Sequence, residues 1–204
     1  ASSYEVLLGE VPIVEAQHSV YFDGLQVIPA SRELVGAEVE LVAAEAREYR
    51  LRQALEPVRE SFDFVLIDCP PSLGLLTLNA LTAADSTLIP IQCEYYALEG
   101  LSDLLDTVER VRGALNASLQ VEGIVLTMAD ERTNLSRQVE QEVRGHLAQL
   151  VFETVVPRNV RLGEAPSFGK PIILYDLRCS GAKAYLSLMR EVVQHGKEST
   201  RTRA

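Results

Sequence analysis

The chain has 204 residues, 47% of them apolar, and a formal charge of -10. That is enough apolar material for one domain with a substantial core, and it excludes a disordered or fibrous protein. Three cysteines, Cys69, Cys93 and Cys179, form no CxxC pair, which argues against a disulfide framework or a zinc ribbon and suits a reducing, cytoplasmic compartment.

The N-terminus, ASSYEVLLGEVPIVEAQ, carries acids rather than a basic leader, and no apolar run approaches the ~20 residues that span a bilayer. The reading is therefore of a protein with no membrane association. Apolar runs bounded by turn residues then recur along the chain: LQVIPA (Leu25 to Ala30), FVLID (Phe64 to Asp68), STLIPIQC (Ser86 to Cys93), EGIVLTM (Glu122 to Met128) and VFETVVP (Val151 to Pro157). Most lack apolar/polar alternation, the pattern of strands covered on both faces.

Helical patterns lie between the later runs. Leu98, Leu101, Leu105, Val108 and Leu115 line one face of ALEGLSDLLDTVERVRGAL, and Leu135, Val139, Val143, Leu147 and Leu150 do the same in NLSRQVEQEVRGHLAQL. A last helix is predicted over about Gly181 to Gln194, with Tyr185, Leu188, Met189 and Val192 on its apolar side. Strand alternating with helix predicts an α/β fold, a mostly parallel sheet with helices on both faces. One domain is expected over 1–195, followed by a polar flexible tail over 196–204. From Val151 to Ala204 there are nine Lys/Arg against five Asp/Glu, leaving ten against twenty-four before Val151. A basic C-terminal quarter on an acidic chain either meets an anionic partner or is a solvated surface with a basic tail; both readings stay open here.

In an open parallel sheet, ligands bind beyond the carboxyl ends of the strands. Asp68 is the last residue of the most hydrophobic predicted strand, and Pro70 and Pro71 end any ladder there. Ser72 is the expected cap of the helix that begins in LGLLTLNAL. An aspartate so placed either serves a ligand or hydrogen-bonds turn amides, and its position alone leaves both open.

The segment FDFVLIDCPPSLGLLTLNALTAADSTLIPIQCEYYALEGLSDLLDTVERV resembles the ParA/Soj family of chromosome and plasmid partitioning ATPases, relatives of MinD. The likeness continues through GIVLTMADERTNLSRQVEQEVR, VVPRNVRLGEAPSFGKPIILYD and SGAKAYLSLMREV, covering about Tyr4 to Val193. The resemblance implies a three-layer P-loop NTPase-like fold and a DNA-segregation ATPase that uses ATP and Mg2+. It implies a nucleoid-associated cytoplasmic protein: a homodimer in the ATP state that binds nonspecific DNA and is stimulated by a ParB-type centromere-binding partner.

By the same resemblance Asp68 matches the Walker B aspartate that holds magnesium through water, a role suited to one hard carboxylate beside phosphates. Pro70, Pro71 and Ser72 match the switch segment that follows it, and Gln92 with Glu94 to Gly100 the part that faces the dimer partner. Met128, Asp130 and Arg132, with Pro157, Arg158 and Asn159, match the two loops around adenine. Lys170, Arg161, Arg178 and Lys183, together with Arg158, are the cations available for DNA phosphate, Lys170 first among them and Arg137 and Arg144 last.

One departure is large. The family's glycine-rich phosphate loop, KGGVGKT in kind, occurs nowhere in this sequence: Gly169-Lys170 and Gly196-Lys197 lack the upstream glycine and the downstream Ser/Thr. The family's opening strand, P-loop helix and next strand are expected to be missing before Ala1, so the fold is expected to be N-terminally truncated. The chain as written is then expected to be catalytically inactive and to expose apolar surface beside FVLI and TLIPI. A MinD-like regulator of division and a non-enzymatic interaction module are the alternatives. The first calls for a basic amphipathic C-terminal helix, which QHGKESTRTRA does not supply. An iron-sulfur role is disfavoured, because Cys69 reads as a small buried residue and the other two cysteines have no cluster spacing.

Overall fold

The computed structural model describes residues 1–203, with side chains for residues 1–196. Its Cα positions form two compact units, one of Ala1–Asp85 with Val108–Leu119 and the other of Ser86–Thr107 with Gln120–Ala204.

The first unit is mostly helical. Helix α1 (Ser3–Leu8) opens on a capping box in which the Ser2 hydroxyl accepts from the Tyr4 amide and the Glu5 carboxylate accepts the Ser2 N–H at 2.8 Å. It closes at Gly9, whose φ of 78° is the left-handed cap that glycine adopts without strain. Two-residue strands β1 (His18–Ser19) and β2 (Gln26–Val27) then pair antiparallel. Helices α2 (Leu34–Glu40), α3 (Arg50–Leu55) and α4 (Leu75–Ala83) follow. Two apolar clusters hold the unit, one around Val6, Ile13, Ala16 and Val58 and one around Leu7, Ala37 and Leu41.

Two strand expectations are corrected here. LQVIPA is not a core strand: only Gln26 and Val27 pair, in a short hairpin. FVLID forms no strand either; Phe64, Val65 and Leu66 are 56%, 44% and 91% exposed. A strand exists through its ladder, and among the described residues nothing pairs with this stretch. The apolar surface expected beside FVLI is thus present.

The second unit carries the parallel sheet. Its elements in order are β3 (Ser86–Gln92), α5 (Ala97–Ala114, the part from Val108 belonging to the first unit), β4 (Gln120–Ala129), α6 (Asn134–Leu147), β5 (Val151–Pro157), α7 (Val160–Glu164), α8 (Ile172–Tyr175) and α9 (Ser180–Arg203). The strands lie in the order β3-β4-β5, all parallel, with Ile89 opposite Ile124 and Ile91 opposite Leu126. Strand β4 is central, so alternate residues feed two cores. Ile124 and Leu126 pack with Ile89, Ile91, Leu101, Val139 and Val143, while Val125 packs with Phe152, Val156 and Leu188. Helices α5 and α6 therefore cover one face and α9 the other, the expected layered α/β arrangement.

Strand β3, with β4 on one side only, alternates: Ile89 and Ile91 are buried while Leu88 is 39% exposed. Helix α9 runs to Arg203, past the predicted end at Gln194; no proline lies between, and a single glycine, Gly196, does not end it. The expected tail over 196–204 falls almost wholly on residues whose side chains lie outside the described set. No helix among the described residues is long and apolar enough to cross a membrane.

Candidate functional site

Sequence reasoning marks two groups of residues, and each falls within one unit. In the first, Asp68 is exposed, and its carboxylate has no hydrogen-bond or ion-pair partner among the described residues. No turn amide among the described residues donates to it. Cys69 beside it is exposed rather than buried. Among the described residues no group of three His, Cys, Asp or Glu side chains could cage a metal. A lone exposed carboxylate fits magnesium only in the manner that cation favours with nucleotides, mostly through phosphate oxygens and water.

The turn after Asp68 is anchored from elsewhere in the unit. Ser72 is not the cap of α4; the cap position is Gly74, which has no side chain to offer. The Glu38 carboxylate of α2 stands there instead, accepting from the Leu76 amide at 3.4 Å, and a Cβ on Gly74 would overlap it. An acid at a helix N-terminus is well placed against the helix dipole. The Thr77 hydroxyl donates to the Ser72 carbonyl at 2.6 Å, holding the turn that contains Pro70, Pro71 and Ser72.

Deeper in, Asn79 is fully buried. Its amide donates to the carbonyls of Arg47 (2.8 Å) and Leu75 (3.0 Å), and its oxygen accepts from the Leu51 amide at 3.1 Å. Sequence reasoning missed Glu38 and Asn79. The only available signals were an asparagine inside an otherwise apolar helix and a glycine directly before one.

In the second unit the carboxyl ends of three parallel strands come together. Gln92 ends β3 opposite Thr127, and Ala129 lies opposite Pro157 at the ends of β4 and β5. The Arg158 amide donates to the Ala129 carbonyl at 2.8 Å, fastening the two loops to each other. Met128 takes a φ of 54°, a left-handed conformation costly for a side chain with a Cβ.

The loop after β4 is rigidly tied. The Asp130 amide donates to the Ser136 hydroxyl (3.1 Å), and the Asp130 carbonyl accepts from the Thr133 amide and hydroxyl, both at 3.0 Å. The Asp130 carboxylate takes two parallel bonds from the Arg132 guanidinium, 2.9 and 2.7 Å, and a third from the Arg132 amide at 3.1 Å. These bonds, with a smaller contribution from the nearby Arg158 charge, pull the Asp130 carboxyl down from 3.8 to about 2. Arg158 in turn pairs with Glu94 at 3.1 Å. So Met128, Asp130, Arg132, Pro157 and Arg158 are brought together as expected, and Glu94 joins them. Asn159 instead turns to α7 and α9, accepting from the Arg161 amide (2.8 Å) and donating to the Ser180 hydroxyl (2.7 Å).

The candidate DNA cations divide. Arg161 is engaged by Glu164 (2.8 Å) and Asp176 (3.7 Å), whereas Lys170, Arg178 and Lys183 are exposed and make no ion pair among the described residues. Next to the C-cap glycine of the GEAPSFGKP loop, Phe168 stacks on Tyr175 with ring centroids 5.1 Å apart. Lys170 is thereby presented from a supported loop.

Comparison with known proteins finds relatives in sequence and in fold. The family model for an AAA domain matches residues 1–121. The chain is 59% identical over 191 residues to the chromosome partitioning protein ParA of Myxococcus xanthus, covering 94% of this chain and 68% of that protein. It is 55% identical over 193 residues to the sporulation initiation inhibitor protein Soj of Bacillus subtilis, covering 95% and 76%. Among solved structures, cobyrinic acid a,c-diamide synthase from Mycobacterium smegmatis, with bound ATP analog and magnesium, superposes with a TM-score of 0.80 at 36% identity. The match covers 98% of this chain and 74% of that one.

Proposed function

This chain belongs to the ParA/Soj family of partitioning ATPases, and from that premise we propose that it works in chromosome or plasmid partitioning as an ATP-responsive, DNA-associated dimer with a ParB-type partner. The observation that carries the nucleotide part is the fastening of two strand-end loops, Arg158 N–H to Ala129 carbonyl at 2.8 Å, beside the rigid Asp130 turn. Together these loops offer a base a fixed backbone edge and the partly exposed Met128 side chain, at the sheet end where open parallel sheets bind ligands.

In this reading Asp68 holds magnesium through water, and the Pro70–Ser72 turn reports whether phosphate is present. Its coupling to the rest of the unit runs through Thr77, Glu38 and Asn79. Magnesium there would complete its shell with phosphate oxygens and water. The sequence contains no glycine-rich loop to cradle those phosphates, so base binding is assigned to the residues of this chain, and no hydrolytic step is. Lys170, Arg178 and Lys183 form the surface for DNA phosphate. Such contacts carry affinity without reading sequence.

The nucleotide reading is tested by titrating Mg-ATP into the 15N-labelled chain. The expected result is saturable displacement of the Met128 to Thr133 and Arg158 to Asn159 amides; no displacement there sinks it. The DNA reading is tested by duplex binding against salt. Replacing Lys170, Arg178 and Lys183 together by alanine should flatten the log K against log salt slope by about 3, and an unchanged slope removes them from the interface.

A further inference from the structure

The Asp130–Arg132 pair has a chemical consequence for which base the loop admits. Asp130 sits on a turn whose backbone is pinned by Ser136 and Thr133 independently of the Arg132 side chain, and the Arg132 amide, which any residue at that position supplies, bonds one carboxylate oxygen at 3.1 Å. The carboxylate is the sheltered member, with 19% side-chain exposure against 86% for Arg132. Each of its oxygens already receives a guanidinium N–H, and one also receives the Arg132 amide. What faces solvent is therefore the guanidinium, laid over the acid.

A free carboxylate and a covered one select opposite purines. The Watson–Crick edge of guanine offers two adjacent donors, N1–H and the N2 amine, which match two carboxylate oxygens as a fork. Adenine offers an acceptor at N1, which a bare carboxylate repels. We infer that Arg132 is a specificity-determining residue of the base site: by filling both Asp130 oxygens it withholds from guanine the acceptor pair that guanine requires, and it removes the repulsion that adenine would meet. This rests on the strand-end loops being the base site, as proposed above. It gives Arg132 a part distinct from contact with the nucleotide, since it acts through Asp130. Only the exposed side chain of Arg132 need be removed to uncover an acceptor that the loop keeps in position.

The test compares Mg-ATP and Mg-GTP binding to the full 204-residue chain, to Arg132→Ala and to the double variant Asp130→Ala/Arg132→Ala. The readout is the displacement of the amides from Met128 to Thr133. Losing a cation weakens every nucleotide, so the ratio of the two affinities is read, not either alone. The wild-type chain is expected to favour ATP. Arg132→Ala should move the ratio toward GTP by about fivefold or more, the scale of one bidentate base contact, and the double variant should move it back. If Arg132→Ala leaves the ratio unchanged while ATP still displaces these amides, the inference is overturned and the base-site reading stands. A gain for GTP that persists without Asp130 also overturns it, because space rather than the carboxylate would then be responsible. If neither nucleotide displaces these amides, the base-site reading fails and the inference falls with it.

Discussion

Two stretches of this chain, FVLID (Phe64 to Asp68) and STLIPIQ (Ser86 to Gln92), carry similar strand-forming side chains and meet different fates. The second is strand β3, with Ile89 and Ile91 1% and 9% exposed and in register with Ile124 and Leu126 of β4. The first pairs with nothing described, and Leu66 is 91% exposed. Both runs are rich in β-branched and other large apolar residues, so propensity does not separate them. The ladder does: β3 has a neighbour that satisfies its backbone and helices that bury one of its faces, and FVLID has neither.

If pairing makes that difference, truncation should be costly in one stretch and nearly free in the other. Ile89→Ala should cost about 2–5 kcal/mol in urea unfolding, because Ile89 fills a core with Leu101, Ile124 and Val143 that cannot close over the cavity. A cost below about 1 kcal/mol would mean that β3 is no better supported than FVLID. In the first unit the largest single effect should come from Asn79→Ala, about 2–4 kcal/mol. It leaves the Leu51 amide and the Arg47 carbonyl without their partner in the interior. That loss would show that a polar staple, where the only described pairing is a two-residue hairpin, does for the first unit what the ladder does for the second.

The same contrast explains what was legible from sequence. The second unit was: VFETVVP is strand β5 over the predicted residues, and the helices carrying Leu101 and Val139 lie where their periodic faces placed them. Local pattern suffices when each element meets a partner close along the chain. In the first unit the pattern of FVLID was read as a buried strand, because hydrophobicity records what a segment could bury and not whether a neighbour is present. The site divides likewise. The family resemblance pointed to Met128, Asp130 and Arg158. Glu38, which accepts from the Leu76 amide, and Asn79, which ties its helix to Arg47 and Leu51, act through partners distant along the chain that no short window contains.

The Asp130 loop offers a graded test within the ordered unit. Its carboxyl is lower in the folded chain than the ordinary 3.8, so the bonds to Arg132 are complete at neutral pH and are lost as the pH falls from 3.8 through about 2. Monitored by the Asp130 side-chain carbonyl resonance, the titration should centre near 2 in the wild type and move up toward 3.8 in Arg132→Ala. An unmoved midpoint would assign the shift to the loop backbone instead of the guanidinium.

The smallest expected effect is the sharpest for the opening contrast. Leu66→Lys places a charge where an apolar side chain is 91% exposed, so it should alter unfolding stability by no more than about 0.5 kcal/mol. It should also raise solubility, since it breaks up a run of exposed apolar side chains of the kind that promotes association. Val65→Lys, at a less exposed position, should do nearly the same. A loss of about 2 kcal/mol or more from either would mean that this stretch is covered in solution, by a second copy or by its own chain. FVLID would then be a strand after all, and a partner, not an unmet propensity, would have to be sought.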